Sequence, residues 1–266
     1  MWKYKEFSIN LLLFRKTYDT LKKAMDNLFK FVDIHSHLLP GIDDGPRDVE
    51  SAMAMLHLAA RNRIGTIICT PHYKAGVTDY TSVDVDVLIK QLSVRITDEG
   101  LGIKLYSGNE IYYSEAALSA LEGGQAKTLA DSDFVLSEFA PWVRWEELQE
   151  GLFNLKSAGF RPILAHSERY ECLTKSREER KRANILREYG ILLQINAEAV
   201  MQKGKFTKYL LKNELADFVA TDAHSNRRRG PYLKEASVYL EKKYGKVYTN
   251  RLLYGNADMI INEATR

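Results

Sequence analysis

Asp33-Ile34-His35-Ser36-His37, taken together with Asp222-Ala223-His224 near the other end of the chain, decides the fold. Each stretch directly follows an apolar run that reads as a buried strand, Phe31-Val32 before the first and Phe218-Val219-Ala220 before the second. In extended backbone alternate side chains face the same way, so His35 and His37 point together. A lone His-x-His is more often a pair of surface or hydrogen-bonded core histidines. Here an aspartate and a third imidazole arrive from a distant segment, which is how a multi-ligand metal site is assembled.

Between these ends the chain alternates short apolar runs with helical patterns. The runs are 31–34, 66–69, 103–106, 133–137, 162–165, 191–195 and 217–220. Helix-like spacing occupies 47–62, 81–99, 114–122, 144–158, 177–189 and 198–213. Strands alternating with helices predict an α/β fold with a parallel sheet. Closed on itself, that sheet is a (β/α) barrel of seven strands; an open doubly wound sheet is the alternative.

The residues that end the runs carry the chemistry. They are His35 and His37, then His72 after Thr70-Pro71, Glu110 after Gly108-Asn109, and Glu138 after Ser137. His166-Ser167-Glu168-Arg169 ends the fifth run, and Asp222 with His224 ends the last. Asn196, at the sixth, is polar but no typical ligand. Of the six histidines only His57 lies elsewhere, inside a helical pattern, where it reads as a surface residue. In a parallel barrel the C-terminal strand ends converge on one face, where such folds hold their chemistry. Burying so many ionisable groups without metal is costly. Mixed imidazole and carboxylate donors suit zinc, manganese or iron. They are too many for one ion, so two or three divalent ions are expected.

The loop Leu39-Pro40-Gly41-Ile42-Asp43-Asp44-Gly45 follows the first pair and is expected over the barrel mouth. Asp43 and Asp44 read as caps of a helix starting near Pro46, or one of them as a further ligand.

The bulk composition is permissive. The chain has 266 residues, 45% of them hydrophobic and 27% charged, with a net charge of +3. That suits one large domain or two small ones with a full core. No dense basic stripe with interleaved aromatics is present, which argues against a nucleic-acid partner. The two cysteines, Cys69 and Cys172, form no disulfide framework and read as reduced thiols of a cytoplasmic protein. Leu11-Leu12-Leu13-Phe14 is too short to span a bilayer, so neither a signal peptide nor an integral membrane segment is expected. Residues 1–30 read as an N-terminal extension before a catalytic domain over 31–266. Leu11, Phe14, Tyr18, Leu21, Met25 and Leu28 recur at helical spacing among basic residues. The stripe reads as a helix packing on the domain or on a partner subunit, self-association giving an oligomer being one form of this; a membrane-surface helix is the alternative.

The motifs Asp-Ile-His-Ser-His-Leu-Leu-Pro-Gly-Ile-Asp-Asp-Gly, Thr-Pro-His, Gly-Asn-Glu, Ala-His-Ser-Glu-Arg-Tyr and Thr-Asp-Ala-His together resemble the polymerase and histidinol phosphatase (PHP) superfamily. More narrowly they resemble its bacterial manganese-dependent protein-tyrosine phosphatases of capsule and exopolysaccharide regulation. The resemblance runs from residue 31 to about residue 260. It implies a distorted seven-stranded PHP-type barrel with a trinuclear metal cluster at the C-terminal strand ends. The implied ligands are His35, His37, Asp44, His72, Glu110, Glu138, His166, Asp222 and His224. Arg169 and Arg229 match the positions that grip phosphate, which suits the bidentate guanidinium fork. Arg227 and Arg228 remain solvated loop residues. Thirty residues precede the first motif, where family members usually begin close to it.

The expected reaction is hydrolysis of phosphotyrosine in protein by metal-activated water, with a bacterial tyrosine kinase tail as the implied partner. Asp44 and His224 are candidates for the general acid. Cysteine-based chemistry is excluded by spacing. The place of the phosphate-binding arginine holds Ala75 after Cys69 and Glu178 after Cys172, with Arg177 one residue short. Three rivals stay open: a small-molecule phosphatase of the histidinol-phosphate type, a PHP phosphodiesterase or exonuclease, and a non-catalytic regulatory module that only binds metal.

Overall fold

The structure, a computed structural model, describes residues 30–263. The expected helix of the N-terminal extension falls in residues 1–29, outside the described residues.

Every expected apolar run forms strand. The segments are β1 (Phe31–Ser36), β2 (Ile64–Cys69), β3 (His72–Tyr73), β4 (Lys104–Ser107), β5 (Glu110–Tyr112), β6 (Phe134–Glu138), β7 (Arg161–Leu164), β8 (Leu192–Asn196) and β9 (Phe218–Ala220). One sheet has the order β1-β2-β4 and the other β3-β5-β6-β7-β8-β9. All pairings are parallel. Beyond β9 the chain returns to β1 through a parallel bridge between Ser36 and Ala223. There His37 N–H donates to the Ala223 carbonyl and Asp222 N–H to the His35 carbonyl, both at 2.8 Å.

Among the described residues the strands fall into nine segments where seven runs were expected, because two of the runs are split, and the cause is local. Pro71, which lacks an N–H, separates β2 from β3. Gly108 and Asn109 separate β4 from β5. A Cβ on Gly108 would stand 3.0 Å from Ile68 Cγ2 and Leu129 Cδ2, so a larger residue there would have to push those side chains aside where the backbone presses on the core. The Asn109 side chain ties the two breaks together. Its Nδ2 donates to the Pro71 carbonyl at 3.1 Å and its Oδ1 accepts Lys127 N–H at 2.8 Å. The offset sets His72 directly opposite Glu110 in the β3–β5 pairing.

Val32 and Ile34 of β1 pack with Phe134, Leu136, Ile163 and Phe218 in one buried cluster. Fully burying side chains of this kind contributes about 1.5–3 kcal/mol each. The helix Asn256–Glu263 adds Ala257 and Ile260 to that cluster. A larger cluster lies between the strands and the helices Val49–Arg61, Ser82–Asp98 and Trp145–Ser157, whose buried faces include Leu56, Leu92 and Leu152. Every helix expected within 47–213 is present, two of them broken: 177–189 after Arg180, and 198–213 at Gly204. The helix Leu233–Tyr244 and the helical turns after it were not expected. Their charged residues, such as Lys234, Glu235 and Glu241, interrupt the apolar spacing.

Candidate metal centre

His35 and His37 do face the same way. Their rings lie 5.4 Å apart, with the two Nε2 atoms 3.3 Å from each other. Both rings are wholly buried. Around them gather the residues that end the other strands. Glu110 Oε2 lies 3.3 Å from His35 Nε2, 3.2 Å from His37 Nε2 and 3.0 Å from His72 Nδ1. Its other oxygen is 2.8 Å from His166 Nε2. Glu138 stands 3.4 Å from His166 Nε2 and 3.6 Å from His72 Nδ1. Asp222 Oδ1 is 3.4 Å from His35 Nε2 and 3.5 Å from His37 Nε2. Asp44 Oδ1 is 3.1 Å from His224 Nε2 and 3.5 Å from His72 Nε2. The Asp44 side chain is the most open of these, 60% exposed, followed by His72 at 39%.

Three overlapping groups have donor atoms close enough for a shared ion. They are His37 with Asp44, His72 and His224; His35 with His37 and Asp222; and His72 with Glu110 and Glu138. His166 is in none of them but touches both glutamates of the third.

The donors fit divalent ions on their own chemistry. Glu110 Oε2, His224 Nε2 and His166 Nδ1 are buried and make no hydrogen bond, despite the short approaches to the first two. Buried polar atoms are normally satisfied, and an orphan of this kind marks an ion or other unseen partner. The protonation balance agrees. Burial pushes the Glu110 carboxyl up, but His35, His166 and His37 hold it well below the carboxylate range. Asp222 is held down in the same way, burial being outweighed first by His35. Burial alone would depress the imidazoles. Asp43 and Glu110 instead raise His37 to about 10, and Glu110 and Glu138 raise His166 to about 9.

Supporting residues fix the rings. Asp43 Oδ2 lies 2.7 Å from His37 Nδ1 and accepts His72 N–H, while its Oδ1 accepts Gly45 N–H. Asp43 is thus no helix cap, and neither is Asp44. The helix begins at Val49 and its cap is Asp48, which accepts Ser51 N–H at 2.7 Å. Gln194 Oε1 lies 3.2 Å from His35 Nδ1 and accepts His166 N–H at 2.7 Å. Gln194 Nε2 donates to Asn196 Oδ1, and Asn196 Nδ2 donates to Asp222 Oδ2 at 2.9 Å. Asp33 is fully buried and accepts the N–H and hydroxyl of Thr221, next to Asp222. His166 and Asp222 sit at positive φ, 29° and 53°. Non-glycine residues there carry about 1–3 kcal/mol of strain, a cost concentrated at functional sites.

Sequence reasoning passed over Asp33, Gln194 and Thr221 and left Asn196 unassigned. The available signal was a lone polar residue inside an apolar run, as in Ile191-Leu192-Leu193-Gln194-Ile195.

Arg169 and Arg229 both bind Asp222, through Nη2 at 2.7 Å to Oδ2 and through Nη2 at 2.8 Å to Oδ1. They border a cavity of about 190 Å³ shared with Asn196, Thr221 and Arg228. Arg228, expected to be merely solvated, therefore lines it too. The cavity and the ligand cluster meet at Asp222. Asp44 is held down to about 2, first by the neighbouring His224, which keeps its carboxylate in the form that binds a cation. His57 is outside the site, as expected, with Nε2 2.7 Å from Glu99. Neither thiol is a nucleophile: burial pushes both up, Cys172 to about 11 and Cys69 further. Among the described residues no helix is long and apolar enough to cross a membrane.

The family model described as Capsular polysaccharide synthesis, CpsB/CapC, matches residues 31–262. The chain is 32% identical over 243 residues to the tyrosine-protein phosphatase CpsB of Streptococcus pneumoniae, covering 86% of this chain and 98% of that one. It is 32% identical to the tyrosine-protein phosphatase YwqE of Bacillus subtilis, covering 88% and 92%. Among solved structures it resembles one from the pair YwqE of Bacillus subtilis and CpsB of Streptococcus pneumoniae, described as unique metal-dependent tyrosine phosphatases. The TM-score is 0.79 at 30% identity, over 87% of this chain and 94% of that chain.

Proposed function

Because this chain belongs to the CpsB/CapC capsular polysaccharide synthesis family, we propose that it is a metal-dependent phosphatase that removes phosphate from phosphotyrosine in proteins. The observation that carries this reading is a run of three ligand groups joined through His37 and His72, one of which includes Asp222, the carboxylate that both arginines bind. The nine strand segments are read as seven staves of a distorted PHP-type barrel, with the site at their C-terminal ends. The ligands are His35, His37, Asp44, His72, Glu110, Glu138, His166, Asp222 and His224. They hold two or three divalent ions, manganese first among them, with iron and zinc as alternatives. The partner is a tyrosine-phosphorylated protein such as a bacterial tyrosine kinase tail, met in the cytoplasm.

Bound ions supply the Lewis acidity that activates water at neutral pH and offsets charge on the phosphoryl oxygens. The chain supplies the rest. Glu110 and Asp222 stand ionised and ready as ligands. Asp43 and Gln194 hold the His37 and His35 rings in place. Arg169 and Arg229 each spend one terminal nitrogen on Asp222 and line the adjoining cavity, leaving the remaining donors of each fork for phosphate oxygens. A tyrosine leaving group, with a pKa of ~10, needs little help from a general acid.

Phosphate release from three substrates tests the substrate class. Turnover of a phosphotyrosine peptide but not of its phosphoserine counterpart or histidinol phosphate is expected. Turnover of histidinol phosphate alone would move the protein to the small-molecule phosphatases.

A further inference from the structure

A second cavity, of about 510 Å³, opens beside the ligand cluster at the ends of β5 and β6. It adjoins the metal centre along the chain, through two residues that line it. Tyr113 N–H donates to the Glu138 carbonyl at 2.9 Å, and Phe139 is the next residue in the chain. The floor is aromatic: Tyr113 and Phe139 stack with their rings 5.2 Å apart. Gly151 permits that floor, since a Cβ there would stand 2.7 Å from both rings. At the rim Trp142 is 74% exposed, unusual for the largest apolar side chain.

The charge of the slot is acidic. Glu115, Glu147 and Glu150 line it, and Arg144 is the one lining cation. Arg144 is spent on Glu147, with Nε at 3.0 Å and Nη2 at 2.5 Å from the same oxygen. Glu115 and Glu150 make no ion pair with any described residue. Three carboxylates and one guanidinium leave a net charge of −2 on the lining. Such a slot repels phosphate. The exposed Trp142 face beside carboxylates is instead the surroundings of a lysine or arginine side chain.

We propose that this slot binds a basic side chain of the substrate polypeptide, near the phosphotyrosine in sequence, so that the enzyme selects phosphotyrosines flanked by lysine or arginine. The inference rests on the phosphotyrosine reading above and adds a sequence preference to it. Charge complementarity and the place of the slot, lined by the residue that follows Glu138 in the chain, carry it.

The test uses the full chain with manganese and two phosphotyrosine peptides, one with lysine and arginine flanks and one with alanine at those positions. p-Nitrophenyl phosphate, too small to reach the slot, reports the basal activity. The wild-type protein is expected to favour the basic peptide in kcat/KM by about fivefold to thirtyfold at low salt. Trp142→Ala and the double variant Glu115→Gln/Glu150→Gln are expected to bring that ratio to within about twofold while leaving p-nitrophenyl phosphate turnover unchanged. Equal rates for the two peptides in the wild type, or a preference that survives both variants, would overturn the proposal. Fluorescence anisotropy of the labelled basic peptide, unphosphorylated, tests the slot without turnover. Salt-sensitive binding weakened in the variants supports it, and binding indifferent to them contradicts it. Absence of turnover on every phosphate ester would instead overturn the phosphatase reading.

Discussion

Gln194 Oε1 stands 3.2 Å from His35 Nδ1 and also accepts the backbone N–H of His166 at 2.7 Å. One amide oxygen thus orients two candidate ligands that enter from different strands. Partners of this kind set ring orientation and basicity, and losing one typically costs tenfold to a hundredfold in metal affinity. Gln194→Leu, similar in volume, is expected to weaken manganese binding by about tenfold to a hundredfold. It also strands the buried His166 N–H, at about 1–3 kcal/mol of stability. Titration against a competing chelator, beside thermal melts, measures both. Unchanged affinity would remove Gln194 from the site.

Neighbouring aspartates separate ligand support from helix capping. Asp43→Asn removes charge 2.7 Å from His37 Nδ1 and is expected to lower metal affinity by about tenfold. Asp48→Ala removes the cap on Ser51 N–H and is expected to cost about 0.5–2 kcal/mol of stability with metal affinity intact. The reverse pattern would contradict the assignment.

The metal-free protein is expected to lose stability in alkali. His37 and His166 have folded pKa values of about 10 and about 9, above the ordinary histidine value, because carboxylates outweigh burial. Their stabilisation is complete below the unfolded value of ~6.5 and is lost as pH rises through the folded values. Melting temperature should fall between about pH 7 and pH 10. Metal binding should release protons in the same range, since the ligands must be deprotonated. Melts at several pH values check the first, and calorimetry in buffers of different ionisation enthalpy checks the second. A flat melting curve with no proton release would count against protonated imidazoles in the cluster.

Arg169 and Arg229 offer a third comparison. Each replacement by alanine is expected to lower kcat/KM on an aryl phosphate by about a hundredfold, the scale for losing one donor to developing charge. Lysine should rescue little, because a point charge does not reproduce the fork. Metal content measured on the same samples separates the two roles. Full metal with low activity fits phosphate binding, whereas lost metal would mean that the arginines serve only to hold Asp222.

Much of this site was legible because each motif is local. His35-Ser36-His37, Thr70-Pro71-His72 and Asp222-Ala223-His224 each place donors at the end of a recognisable apolar run. The supporting contacts were not, because they join residues far apart in the chain: Gln194 to His35, and Thr221 to Asp33. Nor could spacing show that Asp43 turns inward to His37 while Asp48 caps the helix, since both side chains suit either task. The two broken strands are a matter of degree. Pro71 and Gly108 stand plainly in the sequence, but whether they bend a strand or split it depends on the core they press against.

The most direct test restores manganese to metal-stripped protein while following phosphate release from a phosphotyrosine peptide, beside a His35→Ala/His37→Ala control. Activity that returns with manganese in the wild type, and does not return in the control, is the predicted result. Release that proceeds equally without metal, or that survives loss of both histidines, would contradict the assignment of hydrolysis to this cluster.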